Sequence, residues 1–114
     1  MEHDIHTHLY DIVQSCQNIR AFTRNIDHQT YTDNLLIKSA VERQFIIIGE
    51  ALNRIKRLDV MVYNQIGYAE QIISFRNILV HGYGHHIRSV SVASGQSNLT
   101  ELIEHCNQLL SIDQ

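Results

Sequence analysis

The chain predicts an all-α fold, an up-and-down bundle of about four main helices in one domain over residues 1–114. Three observations carry that expectation. Proline is absent and there are only 5 glycines, so the residues that most often interrupt helices are scarce. Apolar residues recur at three- and four-residue steps through several long stretches. The one strand-like alternation, Val90-Ser91-Val92, is too short to make a sheet. At 114 residues the chain can bury a core, but is too short for two domains.

The first helix is expected from about Asp4 to Ile26, with Ile5, Leu9, Ile12, Val13, Cys16, Ile19, Ala21 and Phe22 as its apolar stripe. Asp27-His28-Gln29-Thr30 reads as the turn that follows. Asp33 is a plausible N-cap for a second helix, in which Ile37, Val41, Phe45, Ile48, Leu52 and Ile55 recur over about six turns. Leu36, Ala40, Ile47 and Ala51 widen that stripe, as in a helix buried on two sides. Gly49 inside it costs about 1 kcal/mol against alanine, a cost best explained by another helix passing close. Arg54, Lys56 and Arg57 suit the negative end of the helix dipole. Such a cluster is more often a solvated helix end than a nucleic-acid groove, though it could extend one.

Leu58 to Gly67 reads as a short helix or an ordered connection. A third main helix carries Tyr68, Ile72, Ile73, Phe75, Leu79 and Val80, and Gly82 and Gly84 end or loosen it. Val90 to Asn98 looks like a loop. Asn98 with Glu101 resembles a capping arrangement for a last helix through Leu102, Ile103, Cys106, Leu109 and Leu110.

The net charge of −3 argues against nucleic-acid binding through bulk charge. The distribution says more than the sum. No acidic residue falls between Glu70 and Glu101, whereas Arg76, His81, His85, His86 and Arg88 do. Neither a secretion signal nor an apolar run of membrane-spanning length is visible, so a cytoplasmic protein with no membrane partner is expected. Cys16 and Cys106 fit reduced thiols packed in helices, with a disulfide between them as the alternative. His3, His6 and His8 with Asp4 imitate a metal site. On a helix His3 and His6 share a face while His8 points elsewhere, so no metal is expected there.

The most informative stretch is Arg76-Asn77-Ile78-Leu79-Val80-His81-Gly82-Tyr83. It offers a fixed cation, a group that moves protons near neutral pH and a phenol nucleophile, equipment suited to phosphate chemistry. The bare Arg-x4-His spacing is weak, and specificity comes from the complete string on its helix pattern. By chemistry alone, Tyr83 could be a packing aromatic, and Arg76 could pair structurally with Glu42 or Glu50.

Ala40-Val41-Glu42-Arg43-Gln44-Phe45-Ile46-Ile47-Ile48-Gly49-Glu50-Ala51 resembles the second-helix signature of HepT-like proteins of the HEPN superfamily. Phe75-Arg76-Asn77-Ile78-Leu79-Val80-His81-Gly82-Tyr83 resembles their Arg-x4-His-x-Tyr motif. The resemblance covers nearly the whole chain. It implies a metal-independent ribonuclease toxin without a cofactor, a homodimer with its active site at the dimer cleft. It also implies silencing by a nucleotidyltransferase antitoxin of the MntA type, which attaches AMP to the tyrosine. Carried over, Arg76 and His81 are the catalytic pair, Asn77 supports them and Tyr83 is the modified residue; His85, His86 and Arg88 are candidate RNA contacts. The chain departs from the family beyond the tyrosine. Gly84-His85-His86-Ile87-Arg88-Ser89-Val90 stands where an acidic, Val-Trp-containing segment is usual, and there is no tryptophan.

In an uninterrupted helix Arg76 and His81 lie roughly 140° apart, at about 100° per residue, whereas Asn77 and His81 share a face. Either the helix opens near Gly82, or the site borrows groups across a two-fold axis. The expected chemistry has His81 as general acid/base and Arg76 stabilising charge on the phosphoryl oxygens, giving a 2′,3′-cyclic phosphate. Two other classes predict something different. A non-catalytic helical adaptor for a minimal nucleotidyltransferase has no need of Arg76 and His81 together, and an orphaned inactive relative causes no growth arrest.

Overall fold

Local signals define where each helix starts and stops. The computed structural model describes residues 3–81 and 99–112. The described residues form α1 (His3–Thr23), α2 (His28–Asp33), α3 (Leu35–Leu58), α4 (Val60–Tyr63), α5 (Ala69–His81) and α6 (Leu99–Ile112), with no strand among them. The fold is the expected all-α bundle, with α1, α3, α5 and α6 as its main helices and two short ones between. The expected loop over 90–98, the Val90-Ser91-Val92 alternation and the Asn98 cap lie outside the described residues.

α1 stops three residues earlier than its pattern suggests. Asn25 takes a left-handed φ of 61°, which a continuing helix cannot accommodate. Ala21 and Phe22, expected in the apolar stripe, are therefore exposed beside the helix end. The segment expected as a plain turn begins another helix. The carboxylate of Asp27 accepts from the backbone N–H of Thr30 at 2.8 Å and caps α2. Asp33 is consequently the last residue of α2, holding the Gln29 amide at 2.9 Å. The true N-cap of α3 is Asn34, extended in backbone, whose Oδ1 accepts from Ile37 N–H at 3.0 Å. Within Leu58–Gly67, Asp59 caps α4 by accepting from Met61 and Val62, and Val62, Tyr63 and Ile66 turn inward.

α1 buries Ile5, Leu9, Ile12, Cys16 and Ile19, and α3 buries Val41, Phe45, Ile48, Leu52 and Ile55. Both sets step by four, three, four and three residues, a spacing that keeps one seam facing a neighbouring helix. α3 packs on α1 and α5, and α1 packs also on α6, so α3 is buried on two sides. Ala51 is buried and Ala40 and Ile47 half-buried, as the widened stripe requires, but Leu36 is 80% exposed. Phe45 of α3 meets Phe75 of α5 edge to face, ring centres 5.0 Å apart. Each large aliphatic side chain buried in this way contributes about 1.5–3 kcal/mol.

Paired contacts set the directions. Lys56 meets Glu70 at 3.0 Å, and Gly49 lies against Arg76, so α3 and α5 run antiparallel. Arg20 in the last turn of α1 donates to Thr100 in the first turn of α6, as antiparallel neighbours do. Gly67 N–H donates to Nδ1 of His105 at 2.9 Å and ties the link before α5 to α6. Cys16 and Cys106 are free and buried, and burial pushes both thiols up to about 12. No helix among the described residues is long and apolar enough to cross a membrane.

Candidate active site

The motif arginine is delivered by α5. Phe75 and Leu79 point into the core, which turns Arg76 toward α3 and leaves Asn77 exposed. Arg76 meets α3 at Gly49. A β-carbon on residue 49 would stand 2.5 Å from Cβ and 2.6 Å from Cγ of Arg76, so the stem of the arginine occupies the room that glycine leaves. Gly49 therefore has the use its place in a long helix suggested. It lets α5 lay Arg76 directly on the α3 backbone.

Among the described residues the guanidinium is only lightly held. Nη1 donates to Oδ1 of Asn77 at 3.0 Å, and Nη2 stands 3.7 Å from Oε1 of Glu50. Nε is buried without a hydrogen-bond partner. The ion-pair reading of Arg76 is thus met by Glu50, but loosely. At that length, with both side chains partly in solvent, a pair of this kind contributes about 0.2–1 kcal/mol. Such a contact leaves the cation able to turn to another anion.

Beside Arg76 opens a cleft of about 380 Å³ lined by Glu50, Asn53, Arg54, Arg57 and Arg76. Glu50, Asn53, Arg54 and Arg57 are spaced i, i+3, i+4 and i+7, so they share the face of α3 that looks toward Arg76. Three guanidiniums meet one carboxylate there. The basic cluster at the end of α3 is therefore split. Lys56 leaves the cleft for Glu70 at 3.0 Å and lies 5.2 Å from the centre of the Tyr63 ring. Tyr63 also donates to Glu70, at 2.6 Å. The Tyr63 and Lys56 hydrogen bonds hold the Glu70 carboxyl below its ordinary value of 4.5. Burial first, and then Glu70, push the Tyr63 phenol up.

The remaining motif residues lie at or beyond the end of α5. The helix runs without interruption from Ala69 to His81, and the expected opening near Gly82 lies outside the described residues. Along it the backbone positions of Arg76 and His81 are about 140° apart, and Asn77 and His81 share a face. Tyr83, His85, His86 and Arg88 lie outside the described residues. The structure thus joins Arg76 and Asn77, and adds Asn53, Arg54 and Arg57, which the sequence reading did not assign to the site. The signal for them was present in the i, i+3, i+4, i+7 spacing, but nothing in one sequence says which face of α3 meets α5. Among the described residues no three His, Cys, Asp or Glu side chains are grouped so as to hold a metal ion.

Comparison with known proteins identifies the family. Residues 12–109 match the family described as Ribonuclease HepT-like. Three proteins of Methanocaldococcus jannaschii, provisionally named RNases MJ1380, MJ1216 and MJ0125, are each 35% identical over 80 residues, 70% of this chain. The matched part covers 72%, 65% and 68% of those proteins respectively. No solved structure matches. With the family match running through α3, α5 and nearly all of α6, the chain belongs to the HepT-like ribonuclease family.

Proposed function

We propose that the chain is the toxin of a toxin–antitoxin pair, a cytoplasmic homodimeric endoribonuclease that cuts RNA without a metal through Arg76 and His81. In this reading an antitoxin nucleotidyltransferase of the MntA type silences it by moving AMP from ATP to the Tyr83 phenol oxygen, with pyrophosphate leaving and the phenol proton lost. The observation that carries the proposal is the state of Arg76, seated on Gly49, bonded to Asn77 and only loosely paired with Glu50. A cation this lightly held suits transient charge on a phosphoryl group better than a structural ion pair.

Chemistry assigns the parts. His81 takes the proton of the ribose 2′-hydroxyl, and the 2′-oxygen bonds to phosphorus. The bond from phosphorus to the 5′-oxygen breaks, and that oxygen leaves with a proton from the second His81 of the dimer or from water. A 2′,3′-cyclic phosphate and a 5′-hydroxyl result. Arg76 stabilises the negative charge on the non-bridging oxygens. Asn77 is a positioning residue: it shares the His81 face of α5 and draws the Arg76 guanidinium toward that face. AMP on Tyr83, two residues past His81, brings a competing phosphate to the same arginine.

The test is cleavage by purified protein in EDTA, with wild type, Arg76→Ala, His81→Ala and Tyr83→Phe compared after circular dichroism shows each folded. Cutting is expected for wild type and Tyr83→Phe, with a loss of about 100-fold or more for the other two. A 2′-deoxy residue at the scissile position should abolish it. Co-expression with the antitoxin should add AMP to the wild type and not to Tyr83→Phe. Undiminished cutting of the deoxy substrate, or by His81→Ala, would overturn the mechanism.

A further inference from the structure

The proposed chemistry uses Arg76 and leaves Arg54, Arg57 and Asn53 without a task. We propose that Arg54 and Arg57, with Asn53 beside them, form a separate subsite for a backbone phosphate next to the scissile one, so that the protein grips a single-stranded RNA along α3. The inference rests on the ribonuclease reading above.

α3 and α5 are antiparallel, with Gly49 opposite Arg76 and Lys56 opposite Glu70. Moving along α5 from Arg76 to His81 therefore leads toward the start of α3, whereas Arg54 and Arg57 lie in the other direction. At a rise of 1.5 Å per residue, Arg54 and Arg57 stand about 7.5 and 12 Å beyond Gly49 along α3. His81 stands about 7.5 Å the opposite way from Arg76 along α5. A phosphate held between Arg76 and His81 lies on one side of Gly49 along the bundle, and the backbones of Arg54 and Arg57 lie on the other. A neighbouring phosphate of the same strand fits that offset.

Composition of the cleft agrees. Among the described residues Arg54, Arg57 and Arg76 share it with one carboxylate, that of Glu50, and with the amide of Asn53. Arg54 and Arg57 are exposed, so their guanidiniums meet a ligand without opening the core. Among the described residues the cleft is lined by guanidinium, carboxylate and amide groups, which suit the sugar-phosphate backbone. The subsite therefore adds affinity without sequence preference.

A comparison of two substrates tests this with the full chain. One is a dinucleoside monophosphate, which carries only the scissile phosphate; the other is an oligoribonucleotide containing the same step. For the double variant Arg54→Gln/Arg57→Gln, KM for the oligonucleotide should rise with kcat kept, and cleavage of the dinucleoside monophosphate should equal the wild type. The slope of log affinity for single-stranded RNA against log salt should fall by about 1.4, about 0.7 for each lost contact. Arg54→Lys/Arg57→Lys should retain most of the slope. An unchanged slope and KM in the Gln variant, with the wild type active, would overturn the subsite and leave the ribonuclease standing. An equal loss on both substrates would also overturn it, because the arginines would then act through Arg76. Failure of the wild type to cut either substrate would overturn the ribonuclease reading and the subsite with it.

Discussion

At the scale of single residues, Gly49 and Arg76 form one unit. Replacing glycine by alanine in a helix interior ordinarily stabilises it by about 1 kcal/mol. Here the new methyl would land 2.5 Å from Cβ of Arg76, a backbone-proximal atom that cannot swing aside. Gly49→Ala is expected to destabilise by about 1–3 kcal/mol, as overpacking does, and to slow RNA cleavage by moving the arginine. Urea melts and cleavage rates measured together check this, and a stabilised, fully active variant would contradict it. Glu70 makes a second prediction. Hydrogen bonds from Tyr63 and Lys56 lower its carboxyl in the folded chain. A lowered carboxyl contributes stability that is fully present above its unfolded value of 4.5 and is lost as pH falls through the folded value. The melting-temperature gap between wild type and Glu70→Gln should therefore be widest above pH 4.5 and close in more acidic buffer. A gap that stays constant with acid would exclude the carboxylate as its source. Both residues show how far sequence reaches: Gly49 inside a long periodic helix announces a close neighbour, but its spacing does not say that the neighbour is Arg76.

At the scale of elements, the main helices and the short helix between Leu58 and Gly67 were legible, and the connection between the first two main helices was not. The 4-3-4-3 apolar spacing of α1 and α3 is a strong signal because burial of those faces dominates the energetics. α2 has six residues, of which only Tyr31 is buried, so no period reveals it. Missing α2 moved the cap of α3 by one residue, from Asn34 to Asp33. The correction has a measurable consequence. Asn34→Ala should cost about 1 kcal/mol, because Ile37 N–H loses its acceptor. Asp33→Ala should cost less, since that carboxylate meets only the Gln29 side chain in solvent. Thermal melts of the two variants decide between the caps, and the reverse order would restore the original assignment. The end of α3 follows the same lesson. Arg54, Lys56 and Arg57 look alike in sequence, yet their 100° steps send Lys56 to Glu70 and the two arginines to the cleft.

At the scale of the whole molecule, α5 carries Arg76 and His81 about 140° apart on one continuous helix, and the proposed dimer would let a second copy complete the site. Mixing inactive subunits tests that arrangement. If Arg76 of one protomer works with His81 of its partner, a mixed dimer of Arg76→Ala and His81→Ala regains one intact site. If both residues act within one chain, every site in the mixture stays dead. Recovery of cleavage on co-refolding the two variants is the expected result, and no recovery despite mixed dimers would place the pair within one protomer.

Cys16 and Cys106 leave a last consequence. Thiols raised to about 12 stay protonated at any physiological pH, and both are shut inside the core. Alkylating agents and peroxides act on thiolates they can reach, so the two native cysteines offer them no foothold. A cell under oxidative stress would leave both thiols untouched while thiol-dependent enzymes around them fail, and either cysteine found labelled would mark a molecule that had already come apart.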